Sequence, residues 1–364
     1  MKDAQTSPSL VLFIPVSSTS GSGEYVRSLI IAKAILQQWP KTDVHFILNE
    51  NSKYIDDCPY EVHSCQNSPT KDTPRVNSII RQLQPDLVIF DASGRAKQFK
   101  EAKRVGAKVA FLSQRAKKRK RGLKLNRLFN IDIHWVAQPG FCIKPLGFLQ
   151  SCKVKFFNKL LPKNIGSVFI APSRNNQEYI LNKLNLVGET FFVFSSGSGG
   201  TFVGDKLAAD IYYQAACEFY RQTKIKCVVV FGSNYPKNIE FQYDDVICLR
   251  SIENEYFISL INSAHACVVS AGDTLLQCIA LNKPSIAVAL SSDQKTRLKY
   301  CLNKDLVLKA ELTSENISKQ TFLLVDKQGK DRMRILNGMQ KMPQENALET
   351  IISDINNVIF NNKV

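Results

Sequence analysis

The stretch Phe191-Phe192-Val193-Phe194-Ser195-Ser196-Gly197-Ser198-Gly199-Gly200-Thr201 constrains this chain more than any other. Its first four residues are all apolar and read as a strand covered on both faces, the pattern of a parallel sheet. The Ser/Gly run that follows ends the strand. Glycine allows positive φ there and, lacking Cβ, lets backbone N–H groups approach an anion. Residues 205–222 then read as a helix, with Leu207, Ile211, Ala215 and Phe219 on one face. Strand, Gly-rich turn and helix N-terminus in that order make a phosphate cradle, because unpaired N–H groups and the helix dipole both favour an anion. A Gly-rich run by itself fits a plain surface loop equally well; its place between strand and helix favours the cradle.

The same device occurs near the start. Residues 10–16 read as a strand, residues 17–23 as a small-residue turn, and residues 24–38 as a helix stopped before Pro40. Further alternation follows: strands at 44–48, 86–90 and 108–112, helices at 75–83 and 94–104. A chain of 364 residues exceeds one ordinary core. The expected fold class is α/β, with two Rossmann-like domains facing one cleft and ligands beyond the carboxyl ends of the strands. The expected domains are 1–165 and 166–340, joined by a linker in 162–173, with 341–364 as a terminal helix.

The net charge of +16 points to an anionic partner: nucleic acid, a phosphorylated substrate or an acidic membrane surface. Much of it sits in one run, where Arg115, Lys117, Lys118, Arg119, Lys120 and Arg121 are followed by Lys124 and Arg127. A solvated loop is the plain reading. As an anion contact, the run suits anionic lipid or a phosphate-bearing glycan. It lacks the interleaved aromatics of a single-strand nucleic-acid platform, so nucleic acid is disfavoured. Residues 141–161 mix large apolar side chains with lysine, as either an interfacial patch or core packing near the domain junction. No stretch is long enough to span a bilayer, and the ten cysteines show no C-x-x-C pair. A reducing, cytoplasmic compartment is expected, with peripheral attachment to the inner face of the plasma membrane.

Two carboxylates are candidate bases. Asp91 follows directly on the strand at 86–90, where chemistry usually sits, but Asp at such a junction is often a helix cap. Glu24 opens the first helix beside its Gly turn; it suits either a proton acceptor or a first-turn acid on the helix dipole.

In the second half, a strand ends in Ser270-Ala271-Gly272-Asp273-Thr274, a helix follows, then Ala280-Leu281-Asn282-Lys283-Pro284, a strand, and Ser291-Ser292-Asp293-Gln294. This succession resembles the donor half of the N-acetylglucosaminyltransferase family that completes the lipid-linked peptidoglycan precursor, and related UDP-sugar enzymes of the GT-B fold. The resemblance implies a glycosyltransferase with a UDP-sugar as co-substrate, no metal and no other cofactor. By the family's pattern, Ser195, Ser196, Gly197, Ser198, Gly199, Gly200 and Thr201 hold the donor diphosphate. Ser270, Gly272, Asp273 and Thr274 contact the nucleotide, and Asp293 and Gln294 match the sugar loop loosely. Ser20, Gly21, Ser22 and Gly23 face the acceptor. Two departures stand out: Gln277 occupies the place of a family Glu on the ribose, and Glu24 the place of a family His. The implied reaction is an inverting transfer of an N-acetylhexosamine to a lipid-linked or lipopolysaccharide-type acceptor, with Glu24 or Asp91 as base. A nucleotide-sugar hydrolase or epimerase is the alternative on the same fold, and a nucleic-acid-binding protein the second. The family's last helix crosses back to the first domain, which is the expectation for 341–364.

Overall fold

The computed structural model describes residues 7–16, 23–52, 55–157, 159, 161–239, 246–343 and 346–360. The chain divides into two compact units, Met1–Val168 with Asn346–Val364, and Phe169–Glu345.

The first unit is built on a seven-stranded sheet: β1 (Leu10–Pro15), β2 (Asp43–Asn49), β3 (Glu61–Cys65), β4 (Leu87–Asp91), β5 (Lys108–Ser113), β6 (Ile133–Val136) and β7 (Lys163–Asn164). The order is β3-β2-β1-β4-β5-β6-β7 and every pairing is parallel. β4 is buried along its whole length, as helices on both faces require. Helix α1 (Gly23–Gln38) follows β1; α2 (Thr73–Leu83) and α3 (Ala96–Arg104) follow β3 and β4. Val76, Ile79 and Ile80 of α2 and Phe99 and Ala102 of α3 join Leu12, Val88, Phe90 and Phe111 in one core cluster. The strand β3 escapes sequence reading because Glu-Val-His-Ser-Cys carries one β-branched apolar residue and sits at the sheet edge.

The basic run is not a solvated loop. It folds as α4 (Ala116–Gly122) and α5 (Leu125–Leu128), and Leu123 and Leu128 bury against Val154 of α6 (Phe148–Phe156). Lys153 Nζ donates to the Leu123 carbonyl at 2.7 Å, tying α6 to this segment.

The second unit begins with α7 (Arg174–Lys183) and holds a six-stranded parallel sheet. Its chain runs β8 (Phe191–Ser195), a hairpin of β9 (Phe202–Val203) and β10 (Lys206–Leu207), α8 (Ala208–Thr223), β11 (Lys226–Val230) and β12 (Val246–Leu249). It continues through α9 (Asn254–Ser263), β13 (Ala266–Ser270), α10 (Asp273–Ala280), β14 (Ser285–Val288), α11 (Ser292–Leu302), β15 (Leu308–Lys309), α12 (Ser314–Phe322) and α13 (Lys330–Gln340). The order β12-β11-β8-β13-β14-β15 reverses direction between β8 and β13, which is the dinucleotide-fold order and its switch point. The helix expected from Asp205 starts instead at Ala208, because Gly204 and Asp205 form the two-residue turn of the hairpin, with Gly204 at φ +59°.

The last helix, α14 (Ala347–Phe360), belongs to the first unit. Asp354 accepts from Trp135 Nε1 and from Lys163 Nζ, each at 2.9 Å, and Phe360 lies against Trp39.

Candidate functional site

In the second unit the loops that leave β8 and β13 meet at the switch point. Gly197 and Gly199 both have positive φ, +99° and +88°. A Cβ on Gly199 would stand 2.3 Å from the Phe231 carbonyl oxygen, so only glycine lets the loop lie this close to the end of β11. The loop after β11 is tied to the β8 loop by Asn234, whose N–H donates to the Ser198 carbonyl at 2.8 Å. On the other side, positions 197 and 272 both close on Ser270: a Cβ at either would lie 3.4 Å from its Oγ. Gln294 completes the patch; its Oε1 accepts from Leu290 N at 2.8 Å, and its Nε2 would stand 3.5 Å from a Cβ on Gly272.

The structure thus brings together Ser195, Ser196, Gly197, Ser198, Gly199, Gly200, Ser270, Gly272 and Gln294. Two polar atoms here, Ser196 Oγ and Asn234 Nδ2, are buried with no hydrogen-bond partner. Buried polar groups are almost always satisfied, so these two atoms are left to bond whatever enters the patch. Asn234 was not foreseen; its signal was the Gly232-Ser233-Asn234 turn after an apolar strand.

Two helix starts adjoin this patch. The hairpin lies between the 195–201 loop and α8 in the chain, but the first residue of α8 returns to the loop, where Ala208 N donates to the Thr201 carbonyl at 3.0 Å. Helix α10 starts straight from the switch-point loop, capped by Gly272 with no side-chain hydrogen bond. Asp273 and Thr274 form its first turn, and Gln277 is buried one turn further on. Arg297 anchors the corner, donating to the Ala271 carbonyl at 2.8 Å and standing 3.7 Å from Asp273 Oδ1. Asp293 opens α11 and accepts from Ser291 Oγ at 3.1 Å.

In the first unit, Ser20, Gly21 and Ser22 lie outside the described residues; Gly23 begins α1 and is exposed. Glu24 is half-buried in the first turn. Asp91 caps no helix. It is fully buried and held by Arg27, which donates from Nε at 2.9 Å and from Nη2 at 2.7 Å, with Ser28 Oγ at 3.4 Å. A carboxylate clamped by a guanidinium fork is stabilised as the anion and is a poor proton acceptor. Its work is to fasten α1 to β4.

The cations of the basic run divide by face. Arg115, Lys117 and Lys120 are exposed. Arg119 is buried, donating to the Lys144 carbonyl, and is therefore not a surface contact. Lys118 turns inward and donates to the Ala92 carbonyl at 2.6 Å; burial, then Arg121, lowers its pKa, while Glu24 and Asp91 act the other way. Arg121 is half-buried beside it.

One cluster suits a metal ion. His45 of β2 and Glu61 and His63 of β3 place ligand atoms within 4.8 Å of one another. His45 Nδ1 and His63 Nε2 are 2.9 Å apart, and Glu61 oxygens lie 3.6 Å from the Nε2 of each ring. Two imidazoles and a carboxylate are a zinc-type donor set. Sequence reading found no such cluster, because the residues meet only through the pairing of β2 with the unforeseen β3.

No protein-family model and no curated protein matches this sequence. Solved structures do match across nearly the whole chain. A putative UDP-N-acetylglucosamine 2-epimerase from Listeria monocytogenes aligns with TM-score 0.60 at 11% identity, covering 98% of this chain and 97% of that one. MurG from Acinetobacter baumannii aligns with TM-score 0.56 at 14% identity, covering 95% and 99%. The glycosyltransferase SnogD from Streptomyces nogalater aligns with TM-score 0.58 at 14% identity, covering 95% and 98%. The chain has the fold of two Rossmann-like domains that these GT-B glycosyltransferases and UDP-N-acetylglucosamine 2-epimerases share.

Proposed function

We propose that this protein is a glycosyltransferase that takes a sugar from a UDP-linked donor. The observation that carries the reading is the switch-point patch of the second unit, where the β8 loop, with Gly197 and Gly199 at positive φ and two buried polar atoms without partners beside it, meets Ser270 just before α10. Charge builds on the leaving diphosphate during transfer, and preorganised N–H donors at a helix start stabilise it. Ser270, Gly272 and Thr274 would hold the nucleotide and Gln277 the ribose, with the hydroxyl bond lacking the charge assistance of a Glu. Asp293 and Gln294 would face the sugar. No step calls for a metal ion. Glu24 is the better base, because Asp91 is committed to Arg27.

The acceptor reading is a lipid-linked or lipopolysaccharide-type glycan at a membrane with anionic lipid. It draws on α6, where Phe148, Leu149 and Phe156 are 81%, 82% and 83% exposed beside Lys144 and Lys155. Among the described residues no helix is long and apolar enough to cross a membrane, so attachment would be peripheral.

A thermal-shift series with UDP-, GDP-, CMP- and dTDP-sugars tests the donor: selective stabilisation by UDP-sugars is expected, since a ligand of the native state raises Tm. No shift with any UDP compound would overturn the reading. The epimerase alternative, favoured by the epimerases among the structural neighbours, is tested by incubating UDP-N-acetylhexosamine without acceptor. Free sugar or a changed epimer would replace the transferase.

A further inference from the structure

The first unit contains a second anion-shaped feature. Beyond the carboxyl ends of β1, β4 and β5 lies a recess of about 110 Å³, lined by Ser93, Arg95, Lys118, Arg121 and Arg127, with Thr70 at its edge. Its cations come from separate elements: Arg95 precedes α3, Lys118 and Arg121 lie on α4, and Arg127 on α5. Arg127 is 9% exposed and its guanidinium stacks over the Phe99 ring at 5.5 Å. Arg95 is fixed through Nε, which donates to the Thr70 carbonyl at 2.8 Å. Lys118 is held by Ala92 as described.

Among the described residues, no carboxylate lies within ion-pair distance of Arg95, Lys118, Arg121 or Arg127. The cations press on one another instead: burial lowers the pKa of Arg127, and Arg95 and Arg121 lower it further. Arg95 is exposed and Arg121 half-buried, so the desolvation falls on Lys118 and Arg127, and an anion that meets several of these cations at once offsets that cost. The recess far exceeds the roughly 10–15 Å³ that holds one water, yet falls well below the ~300 Å³ of an ordinary ligand pocket. It has room for a small group and not for a nucleoside. Guanidinium forks converging from three directions match a tetrahedral anion with several acceptor oxygens better than a planar carboxylate.

We propose that this recess binds a phosphoryl group, with Arg95, Arg121, Arg127 and Lys118 as its donors. That the group is carried by the acceptor, as a phosphate ester, rests on the transferase reading; the phosphoryl site itself does not.

Calorimetry on the full chain tests it, with inorganic phosphate and glucose 1-phosphate titrated before and after saturation with UDP, so that the glycine loop of the second unit is occupied in one arm. Saturable binding is expected in both arms, weakening with added salt as charge contacts do. Arg121→Met and Arg127→Met should each weaken it at least tenfold and leave the UDP titration unchanged. Arg121 is half-buried, so its variant remains informative should loss of Arg127 impair folding. Tighter binding of glucose 1-phosphate than of inorganic phosphate assigns the site to an ester; the reverse assigns it to the free anion. Absence of saturable binding in the wild type, or Arg121→Met indistinguishable from it, overturns the proposal. Phosphate binding without UDP binding would leave this site standing and remove the transferase reading.

Discussion

Replacing Gly199 by alanine tests the donor patch at its narrowest point. The residue sits at φ +88°, and a Cβ would meet the Phe231 carbonyl oxygen at 2.3 Å, backbone that has no side chain to swing away. The loop must therefore leave its present path. A non-glycine residue forced into such a conformation costs about 1–3 kcal/mol. If UDP binds only the present path, its affinity falls by at least that amount, which is roughly 5- to 150-fold. The control is Gly188→Ala in the same unit: φ is +76° but a Cβ there meets nothing within 4 Å. It carries comparable backbone strain with no part in the patch. Titration calorimetry with UDP should show a large loss for Gly199→Ala and affinity within about twofold for Gly188→Ala, since only the first strain is coupled to the ligand. Wild-type affinity in Gly199→Ala would refute the reasoning.

Three further outcomes are expected. Asp91→Asn removes the buried carboxylate charge that the Arg27 fork grips and should destabilise the first unit by about 3–5 kcal/mol. The chain's two tryptophans, Trp39 and Trp135, both lie in that unit, so their fluorescence in a urea titration reads it; a change under 1 kcal/mol (roughly the average for point substitutions of every kind) would contradict the clamp role. Burial, reinforced by Arg119, holds His134 near a pKa of about 3, against an ordinary value of 6.5. Its unfolded form takes up a proton that its folded form refuses, so stability present above pH 6.5 is lost as pH falls toward 3. Between pH 7.5 and 5 the loss is about 2 kcal/mol, and His134→Asn should lack this part of the slope; identical slopes would exclude the assignment. Phe148, Leu149 and Phe156 changed together to serine should reduce sedimentation with vesicles containing anionic lipid more than tenfold while UDP affinity holds, because each apolar side chain contributes ~1.5–3 kcal/mol on burial. Unchanged sedimentation would remove α6 from the membrane reading.

The sheets were legible because their strands are buried on both faces: Phe191–Phe194 and Leu87–Phe90 are apolar without interruption, and only a covered strand tolerates that. The glycine loop was legible for a related reason, since Gly197 and Gly199 both take positive φ and Gly199 stands where backbone meets backbone. What escaped depends on partners distant in the chain. The edge strand β3 has too little apolar character to declare itself, and the His45–Glu61–His63 cluster vanishes with it. The inward turn of Lys118 and Arg127 was equally hidden. Lysine and arginine read as solvent-facing until a core residue such as Leu128 or Val154 fixes which side of the helix is covered. Asp91 shows the limit most plainly: its place at a strand end suggested chemistry, and only Arg27, 64 positions earlier, reveals a clamp.

The pairing of Asp354 with Trp135 and Lys163 makes the first unit discontinuous, since its closing helix is delivered after the whole of the second unit. During synthesis the ribosome releases a complete second unit while the first still exposes the flank that α14 will cover. A truncation at residue 168 should accordingly yield a fragment that precipitates, whereas residues 169–343 contain every strand of their own sheet and can be expressed alone.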